Sequence, residues 1–403
     1  MAEYQAQRRR GPMATALVLA GPTAVGKSRV AARLAECCQG EVISADSVQA
    51  YRGLDVGSGT PSAEERRGVP HHLLSVLDPI SREFWSASNF LARASSLLPS
   101  ISRAGNTPIV AGGTGFYLQW LLRGSPGAPA PSASTESAVR ERIERAHRSA
   151  ELSEHADAWD LSLQELSDAG DPSASTLLHR NDWYRLQRRL AIVLESGSPA
   201  ETFGHNLGYG TQPPENISFR CFVLYKPRVE LYRSIDERCE LIVRDGLLSE
   251  SLWLLRNGLQ PGDSPATRAI GYRQAMEFLQ WASQRPPEHA CTTSDILEFV
   301  QRFQRESRNY AKRQLNWFRS KHASEFQWID ARSSLDSVVD TLLESAFRHQ
   351  STASGFDNGP VAQSERLTKD MKKELKEYEP QRKVLSDDEL IRLRDWLLQQ
   401  FEH

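Results

Sequence analysis

The chain has little of what would mark a secreted, membrane-embedded or metal-built protein. Only five of its 403 residues are cysteine, and Cys37, Cys38, Cys221, Cys239 and Cys291 are odd in number with no C-x-x-C pair. That excludes a zinc site readable from spacing and fits free thiols in a reducing compartment. The first apolar run follows a polar start and is only strand-length, so no membrane contact is expected. An excess of one charge is missing too: 49 Lys and Arg stand against 51 Asp and Glu, a formal net charge of −2. Any polyanion contact must therefore come from a local basic surface. Met1 to Gly11 carries Arg8, Arg9 and Arg10 but is too polar for a signal peptide. Glu3 and the scarcity of serine there weigh against a plastid or mitochondrial transit peptide, which stays open beside the expected cytoplasmic location. Internal repeats are absent.

What is present begins with Gly21-Pro22-Thr23-Ala24-Val25-Gly26-Lys27-Ser28, which reads G-x-x-x-x-G-K-S. An apolar run, Ala16 to Ala20, precedes it, and Val30, Ala31, Leu34 and Ala35 follow at helical spacing. Strand, glycine loop and helix in that order are the context of a phosphate-binding loop. Backbone N–H groups and the helix N-terminus favour an anion there. Lys27 would meet the terminal phosphate, and the Ser28 hydroxyl would serve Mg²⁺.

Further strand-like runs follow at Glu41–Ala45, Thr107–Ala111 and Phe219–Tyr225, the first two with helical stretches behind them. This alternation predicts an α/β fold, a P-loop NTPase-like parallel sheet core with helices on both faces. The third and fourth runs are about a hundred residues apart. Between them, Pro/Gly/Ala-rich Ser125 to Pro131 leads into helical patterns and ends at turn-rich Gly204 to Pro214. The expected organisation is an N-terminal tail (1–13), a first part of the core (14–125), a helical insertion (126–214), the core continued with basic helices (215–348), a polar linker (349–365) and a charged helical tail (366–403). Helices are expected throughout from Arg228 to about Arg348. In the tail, Ser386 to Glu389 makes a capping box opening an amphipathic helix. A docking helix and a partner-binding element are both open for it.

Parallel strands present their carboxyl ends on one edge, where ligands bind. The second run ends at Asp46, which should face Lys27 and Ser28 as a Mg²⁺ ligand, a general base or a loop cap. An ordinary P-loop ATPase holds Mg²⁺ with an acid at the end of a later strand. Here that strand runs into Gly112-Gly113-Thr114-Gly115 with no acid. The glycines would admit a substrate close to the backbone or simply make a structural turn, and both readings are open. Two basic stretches follow: Arg185, Arg188 and Arg189 within Trp183–Arg189, and Arg302, Arg305, Arg308, Lys312 and Arg319 along one helical face. The second is a candidate phosphate-backbone footprint.

In several ordered blocks across about 14–322, the chain resembles the tRNA dimethylallyltransferases (tRNA isopentenyltransferases). The blocks are Gly21–Ser28, Asp46–Gly57, Gly68–Leu73, Gly112–Tyr117, Asn181-Asp182 with Arg185 and Arg188, Ile270–Gln274, and Ala311–Arg319. The resemblance implies transfer of a dimethylallyl group from dimethylallyl diphosphate to the exocyclic amine of the adenosine at tRNA position 37. It implies that Gly21, Pro22, Thr23, Ala24, Val25, Gly26, Lys27 and Ser28 hold the donor's diphosphate together with Arg238, and that Mg²⁺ is the cofactor. Asp46 becomes the general base, while Thr23 and Thr114 orient donor and acceptor. The acceptor and anticodon loop would meet Ser47, Val48, Gln49, Arg268, Gly271, Tyr272, Arg273 and Gln274. The stem would meet Tyr184, Arg185, Leu186, Gln187 and Arg188 of the insertion and Lys312, Arg313, Gln314 and Arg319 of the basic helix. A monomer is expected.

The chain departs from the family pattern in places. Thr60 stands where a lysine is common, Arg189 and Ala191 replace small and acidic residues, and no C-terminal C₂H₂ finger follows. An adenylate isopentenyltransferase shares donor and base but needs neither the basic helix nor Gly271–Gln274. A P-loop nucleoside kinase would need ATP. A non-catalytic tRNA-binding protein would have no use for Lys27, Ser28, Asp46 and Arg238 together.

Overall fold

A computed structural model of the chain describes residues 14–81, 85–125, 127–129, 131–153, 157–203, 214, 216–286, 289–320, 325–347 and 369–401. The expected N-terminal tail (1–13), the linker (349–365) and part of the turn-rich end of the insertion (204–213) lie outside the described residues. In chain order the elements are β1 (Ala14–Ala20), α1 (Lys27–Cys38), β2 (Gly40–Ser44), α2 (Asp55–Ser58), β3 (His71–His72), α3 (Ala87–Arg103), β4 (Thr107–Gly112) and α4 (Gly115–Arg123). Next come α5 (Ala133–Glu151), α6 (Ala158–Asp168), α7 (Ala174–Leu177) and α8 (Trp183–Ser196). Then follow β5 (Ile217–Tyr225), α9 (Arg228–Ile242), α10 (Leu248–Arg256), α11 (Pro265–Arg268), α12 (Tyr272–Ser283), α13 (Thr293–Ser320), β6 (Gln327–Asp330), α14 (Leu335–Phe347), α15 (Lys369–Lys376) and α16 (Asp387–Phe401).

The strands form one six-stranded sheet in the order β3-β2-β4-β1-β5-β6, and every neighbouring pair is parallel. β1 is central, with Ala16 to Ala20 fully buried, which is why it reads as an unbroken apolar run. The crossover through α1 moves toward the β3 edge, and the one through α3 moves back toward β1. Right-handed crossovers in opposite directions put these helices on opposite faces. The order reverses at β1, so a crevice opens over its carboxyl end, where Gly21–Ser28 begins. Two edge strands escape the sequence reading. β3 has two residues and β6 four, too short for a periodic signal, so the helical run expected from 228 to 348 is interrupted at Gln327–Asp330.

The chain divides into two compact units, Met1–Gln119 with Pro214–His403, and Trp120–Pro213. In the second, Val139, Ile143, Trp159, Leu166, Leu186, Leu190 and Val193 share a core. Leu186, Leu190 and Val193 fall on one face of α8 at spacings of four and three. Leu186 is fully buried, which corrects the expectation that it contacts tRNA. Arg189 is corrected as well. It leaves the expected basic surface and binds fully buried Asp171 through two hydrogen bonds of 2.7 Å, with Glu201 as a further partner. Burial opposes the Asp171 carboxylate, but the Arg189 and Ser173 hydrogen bonds outweigh it and hold its pKa below the usual value.

In the first unit, α16 packs on α13 with Leu390 and Leu397 buried, and the Ser386–Glu389 capping box forms. A docked helix is thus what the described tail contains.

Removing one partner of a buried ion pair leaves an uncompensated charge, at about 3–5 kcal/mol. Arg189→Ala is therefore expected to lower the hydrogen-exchange protection of α8 by roughly that amount. Protection equal to that of the unaltered chain would contradict the pairing.

Candidate active site

The phosphate loop is gripped most firmly at Thr23. The Thr23 backbone N–H donates to Oε1 of Gln314 on α13 at 2.9 Å, across 291 residues of sequence. Its hydroxyl accepts from Nη1 of Arg238 on α9 at 2.6 Å, across 215 residues. Gln314 also donates through Nε2 to the Gly113 carbonyl at 2.9 Å. This explains the glycine pair after β4. A Cβ on Gly112 would lie 2.2 Å from the Ala45 carbonyl oxygen, and one on Gly113 would lie 2.4 Å from Gln314 Nε2. The close approach expected of a substrate is thus already taken by the chain itself.

Arg238 makes a second bond, from Nη2 to the Ser58 carbonyl at 3.2 Å. Gly59, next along, has φ +62°, and a Cβ there would stand 2.1 Å from the same guanidinium nitrogen. This turn is shaped around the arginine. Glu250 of α10 holds it from behind, accepting from the Val56 and Gly57 N–H groups at 2.8 and 2.9 Å and from the Tyr272 hydroxyl at 2.6 Å. Gln49 adds a bond to the Gly59 carbonyl at 3.1 Å and accepts from Ser44 Oγ at 2.9 Å. Glu250 belongs to none of the sequence blocks. Its one signal is an acid isolated in the otherwise uncharged stretch Leu248–Leu255.

Lys27 donates to the Pro22 carbonyl at 2.8 Å. Burial pushes its pKa down to about 8; nearby Asp46 works against this, and Arg238 adds to it. Asp46 accepts from the Val48 N–H at 2.9 Å through Oδ1, so one oxygen caps its own loop. Oδ2 makes no hydrogen bond among the described residues. Tyr310 of α13 also lies by Asp46; burial first, then that carboxylate, raise its hydroxyl pKa. Thr114 is half-buried and held through its N–H to the Ala45 carbonyl at 3.4 Å. Ser28 is exposed on the first turn of α1.

Residues 49–321 match the family model described as IPP transferase. The chain belongs to the IPP transferase family. Membership makes it a prenyl-transferring enzyme. It is 40% identical over 394 residues to tRNA dimethylallyltransferase 9 of Arabidopsis thaliana, covering 90% of this chain and 81% of the relative. It is 36% identical to the tRNA dimethylallyltransferase of Protochlamydia amoebophila, over 78% and 83% of the two chains. A crystallographic structure of a eukaryotic dimethylallyltransferase acting on tRNA superposes with TM-score 0.63 at 26% identity, covering 82% of this chain and 77% of the other. The full-length tRNA isopentenylpyrophosphate transferase of Bacillus halodurans gives 0.54 at 29%, over 82% and 94%.

Several family-motif residues in this chain turn out to be internal cross-links. Tyr272 is fully buried against Glu250, and Gln274 is buried with Oε1 accepting from the Gly271 N–H at 2.8 Å. Gln49 and Gln314 likewise have their polar atoms bonded inside the unit, so in this structure all four serve as cross-links of the site. The basic face of α13 is also smaller than expected. Arg302 pairs with Glu277 at 2.5 Å, and Arg308 pairs with buried Asp236. Arg319 is half-buried, 5.5 Å from the Trp328 ring. Lys312 and Arg313 remain exposed, as do Arg305, Arg268 and Arg273, the last paired with Glu277 at 2.8 Å. In the second unit, Tyr184 and Gln187 are exposed, Arg185 pairs with Asp182 at 2.9 Å, and Arg188 donates to the Pro129 carbonyl at 3.0 Å.

An anion in the loop must meet a protonated Lys27. Because its pKa in the free protein is near 8, binding below that pH needs no proton uptake, and above it each unit of pH costs affinity. The Kd of a diphosphate monoester, measured without acceptor, is expected to owe little of its pH dependence to Lys27 below about pH 7.5, where the ligand's own last ionisation governs it. It should then rise about tenfold per pH unit above 8 until the pKa of the bound state is passed. A Kd unchanged between pH 8 and 9.5 would contradict this account of Lys27.

Proposed function

We propose that the chain transfers a dimethylallyl group from dimethylallyl diphosphate to the exocyclic N6 amine of the adenosine at tRNA position 37, releasing diphosphate. One observation carries the reading. Arg238, Lys27 and the phosphate loop converge beside Asp46, at a sheet edge where β4 contributes no acid. Such a site suits a diphosphate that leaves with its alkyl bond's electron pair, and lacks the carboxylate of a nucleotide-hydrolysing site. The Arabidopsis and Protochlamydia relatives, both tRNA dimethylallyltransferases, support tRNA as the acceptor.

In the proposed reaction the C1–O bond of the donor breaks as the N6–C1 bond forms. Charge develops on the departing diphosphate, where Lys27, Arg238 and the loop N–H groups stabilise it. The adenine amine is a weak nucleophile and must lose a proton. Asp46 accepts it through Oδ2, the oxygen its own loop leaves unbonded. Thr23 orients the donor, and Thr114, with Ser47 and Val48, faces the acceptor base, which must leave its stack to arrive. Mg²⁺ fits as a partner of the donor: exposed Ser28 at the start of α1 would hold it together with diphosphate oxygens, and it would neutralise the leaving group's charge. Among the described residues no cluster of three or more His, Cys, Asp or Glu could hold a metal by itself, which suits an ion carried with the substrate.

The tRNA contacts proposed are Arg268, Arg273, Lys312, Arg313 and Arg319 on the first unit, and Tyr184, Arg185, Gln187 and Arg188 on the second. The enzyme would act as a monomer wherever its tRNA resides, the cytoplasm being the expected compartment. No described helix is long and apolar enough to cross a membrane.

Asp46→Asn keeps shape and removes the basic oxygen. Single-turnover prenylation of an anticodon stem-loop is expected to slow roughly 10²–10⁴-fold, with tRNA affinity little changed. Recovery of the rate at high Mg²⁺ would make Asp46 a metal ligand instead. A rate near that of the unaltered enzyme at every Mg²⁺ concentration would remove it from the chemistry.

A further inference from the structure

Helix α9 carries two buried carboxylates on the face opposite Arg238. Asp236 and Glu240 are four residues apart and share one face, whereas Arg238, two residues from each, points the other way. Both are almost fully buried, at 2% and 1% exposure. Each carboxylate divides its oxygens between the same two neighbours. Asp236 Oδ1 pairs with Arg308 of α13, and Oδ2 accepts from the Tyr378 hydroxyl at 2.6 Å. Glu240 Oε1 accepts from Gln304 of α13 at 3.4 Å. Its Oε2 accepts from the backbone N–H groups of Lys383, Val384 and Leu385 at 3.0, 2.7 and 3.0 Å. Tyr378 and Lys383–Leu385 lie beyond residues 49–321, the part of the chain that matches the family.

Arg238 of α9 and Gln314 of α13 are the two side chains that grip Thr23. We propose that the segment Tyr378–Leu385 is a clamp that locks α9 to α13 from behind. In this reading Tyr378 and the carboxylates of Asp236 and Glu240 are positioning residues for Arg238 at the donor site. Three successive N–H groups around one carboxylate oxygen form a rigid anion nest, so the segment fixes Glu240 by direction as well as by charge. Leu385 is buried beside the nest, and the α16 helix that follows is seated on α13 through Leu390 and Leu397. The tail is thus anchored at the C-terminal end of its contact with α9.

The inference rests on the donor site as read above, and its test separates the two. In the full-length chain, dimethylallyl diphosphate binding without acceptor is measured for the unaltered protein, Tyr378→Phe, Arg238→Ala and the double variant. Tyr378→Phe removes one oxygen and keeps the ring's edge contact with Tyr232, so it should fold. Expected is a donor Kd roughly tenfold weaker, within the range a small misplacement of a binding group costs, and tRNA affinity unchanged. In the Arg238→Ala background the same substitution should have no further effect, because its action passes through Arg238. Glu240→Gln should weaken donor binding in the same direction. Additive losses, or Tyr378→Phe with a lowered Tm and unchanged donor Kd, would reduce the tail to a stabilising element and overturn the clamp. Failure of the unaltered protein to bind the donor would overturn the donor site and the clamp together.

Discussion

The site depends on how Thr23 is held. A phosphate loop works because its N–H groups are fixed before the anion arrives, and here fixation comes from outside the loop. Gln314 takes the Thr23 N–H, Arg238 takes its hydroxyl, and both reach the loop from helices more than 200 residues away in sequence. The same grip sets the electrostatics. Burial and Arg238 lower the Lys27 pKa while Asp46 supports its charge, so an incoming diphosphate finds two cations partly starved of counter-charge. Binding relieves that strain in proportion to the negative charge it brings, which favours a diphosphate over a neutral or singly charged group.

Neutral amides do much of the joining. Gln49, Gln274, Gln304 and Gln314 are all buried, and each uses its amide to tie elements or caps together. An amide offers a donor and an acceptor without the desolvation cost of an ion. At Glu250, Asp236 and Glu240 a carboxylate makes the link instead, and there both oxygens find a partner. Glu250 matters most directly, because it shapes the turn that receives Arg238.

The catalytic loop, the four longer strands and the position of Asp46 were legible because each has a local cause: a glycine pattern, an apolar run, a strand end. β3 and β6 were not, being shorter than any period. Leu186 was legible and misread: its spacing to Leu190 and Val193 marks a core face, while the neighbouring Tyr184 and Arg185 mark the exposed one. Arg189 with Asp171, Arg308 with Asp236 and Tyr272 with Glu250 were illegible, since each pairing is made by the fold between residues 18 to 72 positions apart. A motif residue can be distinctive because it holds the site rather than because it touches substrate. Gln314 and Tyr272 hold the site through bonds inside the unit.

The central claim is that this phosphate loop serves a prenyl donor and that the acceptor is a polynucleotide. The most direct measurement offers labelled dimethylallyl diphosphate and Mg²⁺, without ATP, to the full-length chain in two reactions, one containing tRNA and the other AMP. The account predicts label in tRNA, at the adenosine of position 37, and none in AMP. Label in AMP, or no transfer to tRNA until ATP is added, would contradict it.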